Sequence, residues 1–267
     1  MDKKSIRLII VVLCVIALLC VVLFSGMLGK NKSDIIGIEN KGNVLSTEKT
    51  ELKVETKTSY MIEGIKALPQ TDLKAGCEVY ACTVLLQYLG FDIDEFEFSN
   101  NYLISRPITY DEEFQRYGPD MNSAYAGDVY TIYGYGVYSP AMAKSINNYL
   151  HTTGSDMQAI ALKNYTLDRL CQKYIVNDIP VMIWATTYMH EPYVKASWIV
   201  NYVDENSDKQ IGDVEEWMQN EHCMTLMGFD EENYYFCDSV SGDITAYEKE
   251  ISQQRYVELG AQAIVVK

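Results

Sequence analysis

The spacing of apolar and polar residues divides the chain into three parts. Residues 8–28 contain no charge and are mostly apolar. Residues 30–66 are rich in Lys, Glu, Thr, Ser and Asn, with only scattered apolar positions, a composition that buries little surface. From residue 67 to 267, apolar residues recur at the spacings of helices and strands. The pattern therefore predicts an apolar segment, a linker and one folded domain.

The first half of this domain has the spacing of helices. The first such segment is apolar on nearly all sides and ends at Gly90, which suits the left-handed residue that follows a helix. Residues 116–142 are rich in Gly and Pro and predict a long irregular loop. The predicted helices cover residues 77–89, 94–102, 140–150 and 166–176.

After Pro180 the spacing changes to runs of β-branched and aromatic residues separated by polar turns. A further short strand is predicted within residues 52–60. Helices followed by antiparallel strands predict an α+β domain whose N-terminal helical half packs on a C-terminal antiparallel sheet. The groove between two such halves is the natural place for a ligand. The predicted strands cover residues 181–189, 195–203, 221–229, 234–240 and 261–266.

The apolar segment predicts a membrane anchor. Residues 8–28 are long enough to cross a bilayer as a helix. Three basic residues lie within residues 1–7, so we expect this end to stay in the cytoplasm. Residues 29–66 would then form an extracellular stalk, and residues 67–267 an extracellular domain anchored to the cell membrane. The alternative is a signal peptide that is cleaved near residues 26–29, which would release a secreted protein.

The net charge of the predicted domain excludes some classes of binding partner. Residues 67–267 hold 12 Lys and Arg against 30 Asp and Glu, a net charge of −18. Such a domain is repelled by nucleic acids and by anionic lipid, so no nucleic-acid partner is expected. The chain has three histidines, and no cysteine pair has the spacing of zinc ligands. We therefore predict neither a metal site nor a cofactor.

One cysteine, Cys77, starts the first predicted helix. A helix N-terminus presents free N–H groups and the positive end of the dipole, which favour a thiolate. His222 opens one predicted strand and Asp238 closes the next, 16 residues later. This even spacing predicts that the two side chains share a face and lie opposite each other. Asp238 would then orient the imidazole toward Cys77, as in a nucleophile, base and orienting-acid triad.

Other residues compete for, or complete, this site. His190 lies in a predicted loop and is the rival base, whereas His151 has the pattern of a surface residue. An acyl-transfer site also needs hydrogen-bond donors for the oxyanion. The backbone N–H of Cys77 is one candidate, and the side-chain amide of Gln70 is the other.

The remaining cysteines and a group of tyrosines each allow two interpretations. Cys82 and Cys171 have the pattern of core residues. Cys223 and Cys237 share the hairpin face opposite to the His222–Asp238 pair, and either form a disulfide or remain two buried thiols. Six tyrosines in the long loop either wall the substrate cleft or pack beneath the loop: Tyr117, Tyr125, Tyr130, Tyr133, Tyr135 and Tyr138.

Three stretches resemble one family of enzymes. Gly76-Cys77-Glu78 at a helix start, residues 127–142, and the strand from His222 to Asp238 are similar to a papain-like cysteine peptidase family. That family is related to the double-glycine leader peptidases that process bacteriocins, and it is common as stand-alone exported proteins of Gram-positive bacteria. The resemblance implies a papain-like fold with the nucleophile Cys77, the base His222, the orienting Asp238 and the oxyanion donor Gln70.

The expected function is a membrane-anchored extracellular hydrolase that cleaves a peptide or amide bond through Cys77. Its partner would be a peptide or protein substrate. Two alternatives stay open at this stage: a cell-wall peptide hydrolase, and a surface binding module that keeps the papain-like fold without turnover.

Overall fold

A computed structural model describes residues 56–205 and 207–267. The predicted anchor, residues 8–28, lies outside the described residues, as does most of the predicted linker. In the described part, no helix combines the length and apolar character needed to cross a membrane. The helices are α1 (Cys77–Tyr88), α2 (Glu95–Asn101), α3 (Ser139–Thr152), α4 (Leu167–Lys173) and α5 (Lys249–Glu258).

Fourteen short and long strands lie within the same ranges. They are β1 (Tyr60–Met61), β2 (Ser105–Arg106), β3 (Thr109–Tyr110), β4 (Arg116–Pro119), β5 (Tyr125–Gly127), β6 (Gly134–Gly136), β7 (Ala159–Lys163), β8 (Val181–Thr186), β9 (Tyr193–Tyr202), β10 (Val214–Gln219), β11 (Glu221–Phe229), β12 (Asn233–Asp238), β13 (Asp243–Glu248) and β14 (Gln262–Val266).

The largest sheet is antiparallel and carries the predicted site strands at its centre. Its order is β13-β12-β11-β8-β14-β7, and β1 pairs with the far end of β11. Side chains of β8 alternate between two apolar clusters. Trp184 packs with α1 and α3, whereas Ile183 packs with α4 and α5. Helices therefore cover both faces of the sheet.

This arrangement corrects the predicted packing of one helical half on one sheet. All six residues of β8 are buried, so both faces of the strand need a cover. The second cover comes from α4 and from α5, whose polar sequence did not suggest a helix. The α+β class and the antiparallel main sheet agree with the expectation.

Helix α1 forms where the apolar run predicted it. Ten of its twelve residues are buried, and the chain leaves it through Gly90 at φ +90°. The Oγ1 of Thr225 in β11 donates a hydrogen bond to the carbonyl of Ala81 at 3.0 Å. The helix that begins at Cys77 is thus tied directly to the strand that carries His222.

The segments between the main elements differ from the prediction. The region 116–142 contains three short strands instead of an irregular loop. The predicted strand 195–203 is β9, but it belongs to a separate sheet of order β10-β9-β4-β3. A third sheet has the order β2-β5-β6, and the β4–β9 and β2–β5 pairs are parallel. Spacing alone does not specify which strands pair, so one antiparallel sheet was too simple.

The folded domain also begins earlier in the chain than predicted. Residues Ile62 and Ile65, assigned above to the linker, are 1% and 6% exposed. Just before them, Tyr60 pairs with Phe229 in an antiparallel register. The domain therefore begins before residue 67, because these apolar side chains fill its core. The predicted strand within residues 52–60 lies partly outside the described residues.

Candidate active site

Cys77 is the first residue of α1, and a short loop holds it in place. Within that loop, the N–H of Ala75 donates to the carbonyl of Val129 at 3.1 Å, and the Tyr125 hydroxyl donates to the Ala75 carbonyl at 2.6 Å. A Cβ on the preceding Gly76 would lie 2.5 Å from the Cβ of Leu73, so the tight turn requires glycine. These contacts leave Cys77 only 9% exposed.

The thiol of Cys77 lies against two carboxyl groups. Its Sγ donates a hydrogen bond to Oε2 of Glu78 at 3.3 Å. Glu78 is fully buried, and its Oε1 accepts the N–H of Val137 at 2.8 Å. One carboxylate oxygen of Glu221 completes the group, in which the three ligand atoms lie within 4.8 Å of one another. The Oε1 of Glu221 is buried with no hydrogen-bond partner in the described part of the chain.

Gly136 lets the covering loop approach these carboxyls. Its φ is +108°, and a Cβ there would lie 2.6 Å from Oε1 of Glu78 and 3.2 Å from Oε2 of Glu221. Only a glycine therefore allows the next residue, Val137, to close on Glu78 without displacing either carboxyl.

Burial controls the ionisation of this group. Burial raises the pKa of Cys77 well above its ordinary value, and the charges of Glu78 and Glu221 raise it further. Burial likewise raises the pKa of Glu78 and, by more, that of Glu221. Two carboxyls this close in a buried place do not ionise independently, so the pair keeps a proton to higher pH than an isolated glutamate.

This finding corrects the expected thiolate at the start of the helix. The dipole of a helix N-terminus contributes about 0.3 to 1 kcal/mol to a nearby anion. Removing a charged group from water costs several kcal/mol, and the neighbouring carboxyls oppose a negative sulfur. Burial and the neighbouring carboxyls therefore oppose ionisation of Cys77, whose Sγ lies 3.3 Å from Oε2 of Glu78.

His222 and Asp238 form a buried pair. The His222 Nε2 and the Asp238 Oδ1 are 2.8 Å apart, and the residues are 2% and 0% exposed. Asp238 also accepts the N–H of Val240 at 2.9 Å and the hydroxyl of Tyr247 at 3.0 Å. Burial opposes ionisation of Asp238, but the hydrogen bond and charge of His222, with these other donors, outweigh it and lower the pKa of Asp238. An ionised Asp238 favours the tautomer with the proton on Nε2, which leaves Nδ1 as the acceptor.

The two side chains meet diagonally and not directly across the hairpin as predicted. In the observed register Thr225 faces Cys237, so Asp238 extends one step further, toward Met224. The register shifts between Leu226 and Gly228, where an extra residue forms a bulge. The bulge shifts the pairing by one residue, so that Asp238 falls opposite Met224 instead of Thr225. Met224 is two positions from His222, a diagonal distance that the two side chains bridge.

Cys77 lies beside the residues that flank His222 in β11. The carboxylate of Glu221 is within 4.8 Å of Sγ. A hydrogen bond from the backbone of Cys223 lowers the pKa of Cys77, but burial and the carboxyl charges outweigh it. Across residues 56–205 and 207–267, no hydrogen bond joins Sγ to the ring of His222. The structure therefore pairs His222 with Asp238 and places Sγ of Cys77 next to the strand of His222, in contact with Glu78.

Gln70 does not have the geometry of an oxyanion donor. Its amide nitrogen donates to the carbonyls of Leu73 and Lys74 at 2.9 and 3.3 Å, which uses both of its hydrogens. Its Oε1 accepts the hydroxyl of Ser239 at 3.1 Å, and its backbone N–H donates to the Ser239 carbonyl at 2.8 Å. Gln70 thus connects the loop before Cys77 to the end of β12. The backbone N–H of Cys77 is the donor that the described hydrogen bonds leave unused.

The competing histidines lie elsewhere. His190 is exposed, and its ring packs edge-on against Tyr188 with centroids 5.9 Å apart. His151 is exposed near the end of α3, as its pattern indicated. Of the histidines, it is His222 that is bonded to a carboxylate in the described residues.

The cysteines near the site are thiols. Cys223 and Cys237 are both free and buried. Cys237 lies 3.6 Å from the sulfur of Met227, and its burial raises its pKa to about 12. Because the register places Cys237 opposite Thr225, the two-thiol alternative holds for Cys223 and Cys237.

The donor set around Cys77 is also the place in the described residues where a metal ion would find ligands. A thiolate and two carboxylates supply three donors, one fewer than the four of a structural zinc site.

Comparison with known proteins identifies the family of the chain. Residues 62–264 match the Peptidase_C39 like family, which covers most of the chain. The chain belongs to this family. Within it, the C39-like domain of this chain contains all four residues that the sequence resemblance assigned.

One curated relative and one solved structure are similar to this chain over most of its length. The uncharacterized protein YvpB of Bacillus subtilis is 22% identical over 263 residues, which cover 96% of this chain and 97% of YvpB. A crystal structure described as a C39-like peptidase of Bacillus anthracis is 23% identical with a TM-score of 0.64. It covers 79% of this chain and 98% of that one. At this identity the likeness shows a shared papain-like fold.

A more distant structure is the peptidase domain of Streptococcus ComA, described as a bifunctional ABC transporter involved in quorum sensing. It is 11% identical with a TM-score of 0.41, and covers 76% of this chain and 97% of that domain. This likeness is too weak to carry an argument about the present chain.

Sequence reasoning missed the carboxyl group beside the thiol. Glu78 was named only as part of the Gly-Cys-Glu stretch, with no role of its own, and Glu221 was not considered. A signal for Glu221 was present, because it is the one acidic residue in the otherwise apolar run 221–229 and directly precedes His222. Its partner Glu78 could not be assigned from spacing, since the two lie 143 positions apart.

Proposed function

We propose that this C39-like domain is a cysteine hydrolase that cleaves a peptide or amide bond, with Cys77 as the nucleophile, His222 as its base and Asp238 as the orienting acid. One observation carries the proposal. The buried His222–Asp238 pair, 2.8 Å apart, lies on the strand that packs against the helix beginning at Cys77.

The reaction would follow the order of other cysteine hydrolases. The Cys77 thiol gives up its hydrogen bond to Glu78 and transfers its proton to Nδ1 of His222 as Sγ attacks the carbonyl carbon of the substrate. The backbone N–H of Cys77 donates to the resulting oxyanion. The imidazolium then returns the proton to the departing amine, and a water activated by the same ring hydrolyses the thioester. Asp238 holds the ring in orientation and stabilises its charged form throughout.

The same proposal places the enzyme at the outer face of a cell membrane. Residues 8–28 supply an apolar segment of spanning length behind a basic N-terminus. The acidic domain suits an environment in which it meets neither nucleic acid nor the anionic inner leaflet. Two proteins similar to this chain come from Bacillus species, which are Gram-positive.

One observation favours a second candidate, a binding module without turnover. Burial and the neighbouring carboxyls raise the pKa of Cys77, and among the described residues its Sγ bonds to Glu78 and not to His222. A domain that binds a peptide in the same place without cleaving it needs no activated sulfur.

A cleavage assay separates the two candidates. The whole chain, held in detergent, is incubated with a broad peptide library, and products are identified by mass spectrometry. Cys77→Ala is the test variant, and Cys82→Ala is the matched control because Cys82 lies on the same helix and is fully buried. We expect cleavage by the wild type and by Cys82→Ala, and none by Cys77→Ala. Peptides that bind but stay intact in all three proteins would favour the binding module.

A further inference from the structure

A groove of about 700 Å³ opens beside the loop that precedes Cys77. Short segments of residues 99–110 and 125–135 form its walls. Tyrosine is the most frequent residue type in this lining, which includes Tyr110, Tyr125, Tyr130, Tyr133 and Tyr135.

The groove lies next to the loop that holds the nucleophile. Two of its lining residues, Tyr125 and Val129, hold the two backbone polar groups of Ala75 at 2.6 and 3.1 Å. Ala75 is two residues before Cys77, and the pKa of Tyr125 is raised by burial and by the charges of Glu78 and Cys77. The groove therefore shares two of its lining residues with the loop that holds the nucleophile in place.

Apolar side chains around the groove remain in contact with water. Tyr110 is 54% exposed and Tyr133 is 68% exposed. Beside them in sequence, Phe114 is 84% and Ile132 is 79% exposed. Of these four, Tyr110 and Tyr133 line the groove, and exposed aromatic side chains in a groove are typical of a place where another molecule binds.

The ends of two sheets border the groove. Strand β3 is the last in the order β10-β9-β4-β3, and β2 is the last in the order β2-β5-β6. Ser105 in β2 and Tyr110 in β3 both line the groove. A strand at a sheet end has a row of main-chain groups that can pair with an added strand, which an extended peptide supplies.

The charges around the groove restrict which peptides it can bind. Asp128 is the one charged side chain among the residues that line the groove, and the domain as a whole is strongly acidic. Two arginines lie near but outside the lining, each over a tyrosine ring: Arg106 over Tyr202 and Arg116 over Tyr110. An acidic segment would meet repulsion here.

We propose that this groove binds the substrate as an extended peptide segment with apolar or aromatic side chains and few acidic ones, leading to the bond beside Cys77. The role as a substrate groove rests on the proposed function. The binding itself does not, because a module without turnover would use the same surface.

The test measures binding without turnover. Full-length Cys77→Ala protein is titrated into a fluorescein-labelled peptide of about eight residues, long enough to run along strands as short as β2 and β3. One peptide alternates Leu, Tyr and Pro with Ser, and a second has Glu at every Ser position. A soluble oligosaccharide serves as the non-peptide probe. We expect the first peptide to bind, the second to bind more weakly, and the oligosaccharide not to compete.

A pair of exposed tyrosines supplies the matched variants. Tyr133→Ala removes an aromatic wall of the groove, whereas Tyr193→Ala removes a tyrosine of similar exposure, 53%, outside the lining. Both are added to the Cys77→Ala protein. We expect Tyr133→Ala to weaken binding of the first peptide about tenfold, as for one aromatic anchor of an interface, and Tyr193→Ala to leave it within about twofold. Equal losses in the two variants, competition by the oligosaccharide, or no binding of either peptide would overturn the proposal.

The binding and cleavage assays test the groove proposal and the hydrolase proposal separately. If the cleavage assay finds no hydrolysis but binding depends on Tyr133, the groove proposal stands and the hydrolase proposal falls. If hydrolysis depends on Cys77 while Tyr133→Ala changes neither binding nor KM, the hydrolase stands and the groove proposal falls. With both correct, Tyr133→Ala in the wild-type background raises KM and leaves kcat unchanged.

Discussion

At the scale of single residues, the ionisation of Cys77 cannot be separated from that of Glu78 and Glu221. The three groups lie within 4.8 Å and are largely removed from water. Their protons leave in steps that belong to the group as a whole. This coupling makes Glu221 the residue through which the reactivity of the sulfur is most easily changed, since Glu78 also anchors the covering loop at Val137.

The substitution Glu221→Gln tests this coupling. It removes a carboxyl whose ionised form raises the pKa of Cys77, and so should lower that pKa and move the onset of alkylation to lower pH. The measurement is the rate of iodoacetamide addition to Cys77 across about pH 6 to 10, followed by peptide mapping. Glu216→Gln, at an exposed position on β10, is the control and should match the wild type. An onset that is unchanged, or shifted to higher pH, in Glu221→Gln would refute the coupling.

Part of the site was accessible from the residues alone. The spacing of His222 and Asp238 on neighbouring strands predicted the contact that the structure shows, and the apolar run predicted the helix that begins at Cys77. Their roles in a triad stay a prediction. Gln70 was proposed from its position before Cys77 and from the resemblance, and the structure shows its amide nitrogen bonded to carbonyls of its own loop. The carboxyl beside the thiol comes from a contact between distant segments, which local spacing does not encode.

At the scale of elements, the covering loop around β6 decides how closed the site is. Gly136 at φ +108° lets the loop lie against both carboxyls, and Val137 then seals Glu78. The loop thus excludes water from the thiol, and this exclusion raises the pKa of Cys77.

The substitution Gly136→Ala should disturb this closure. Its Cβ meets the Glu78 and Glu221 carboxylates, and the backbone conformation is unfavourable for alanine. We expect a loss of about 1 to 3 kcal/mol in the free energy of unfolding, measured by urea denaturation, together with faster alkylation of Cys77. Gly154→Ala separates clash from strain, because Gly154 has φ +70° but no atom within 4 Å of its added Cβ. A change in Cys77 alkylation as large in Gly154→Ala as in Gly136→Ala would argue against a specific role of the loop.

The elements that spacing predicted well are the long, buried ones. Helix α1 and strands β8 and β11 are continuous apolar runs with clear ends, so type and position followed directly. Strands of two to four residues such as β2 and β3 carry too few alternations to be recognised. The bulge in β11 also escaped prediction, because an extra residue in a strand leaves its composition unchanged.

At the scale of the whole molecule, the domain is larger than its predicted boundary. The segment before residue 67 contributes Ile62 and Ile65 to the core and adds strand β1 to the main sheet. The predicted stalk therefore ends in a part of the fold. Composition indicated a linker because the apolar residues here are isolated in sequence, and their burial depends on a sheet formed by residues far along the chain.

Truncating Ile62 should show that this segment stabilises the domain. Ile62→Ala leaves a cavity at a position 1% exposed, and we expect it to lower the free energy of unfolding by about 2 to 4 kcal/mol. Ile211→Ala, at a position 62% exposed, should change it by less than about 0.5 kcal/mol. Both are measured by urea denaturation of the full chain. Similar small effects at the two positions would return the boundary to residue 67.

The central claim is that Cys77 is a nucleophile served by His222. The most direct test uses a peptide that the protein binds, carrying a chloromethyl ketone in place of the scissile bond, with the adduct located by mass spectrometry. His190→Ala is the control, since His190 is exposed and bonded to no carboxylate in the described residues. Circular dichroism verifies that each variant is folded. The account predicts a single adduct on Cys77 that forms at the wild-type rate in His190→Ala and at least about a hundredfold more slowly in His222→Ala. An adduct on another cysteine, or an equal rate on Cys77 in folded His222→Ala, would contradict it.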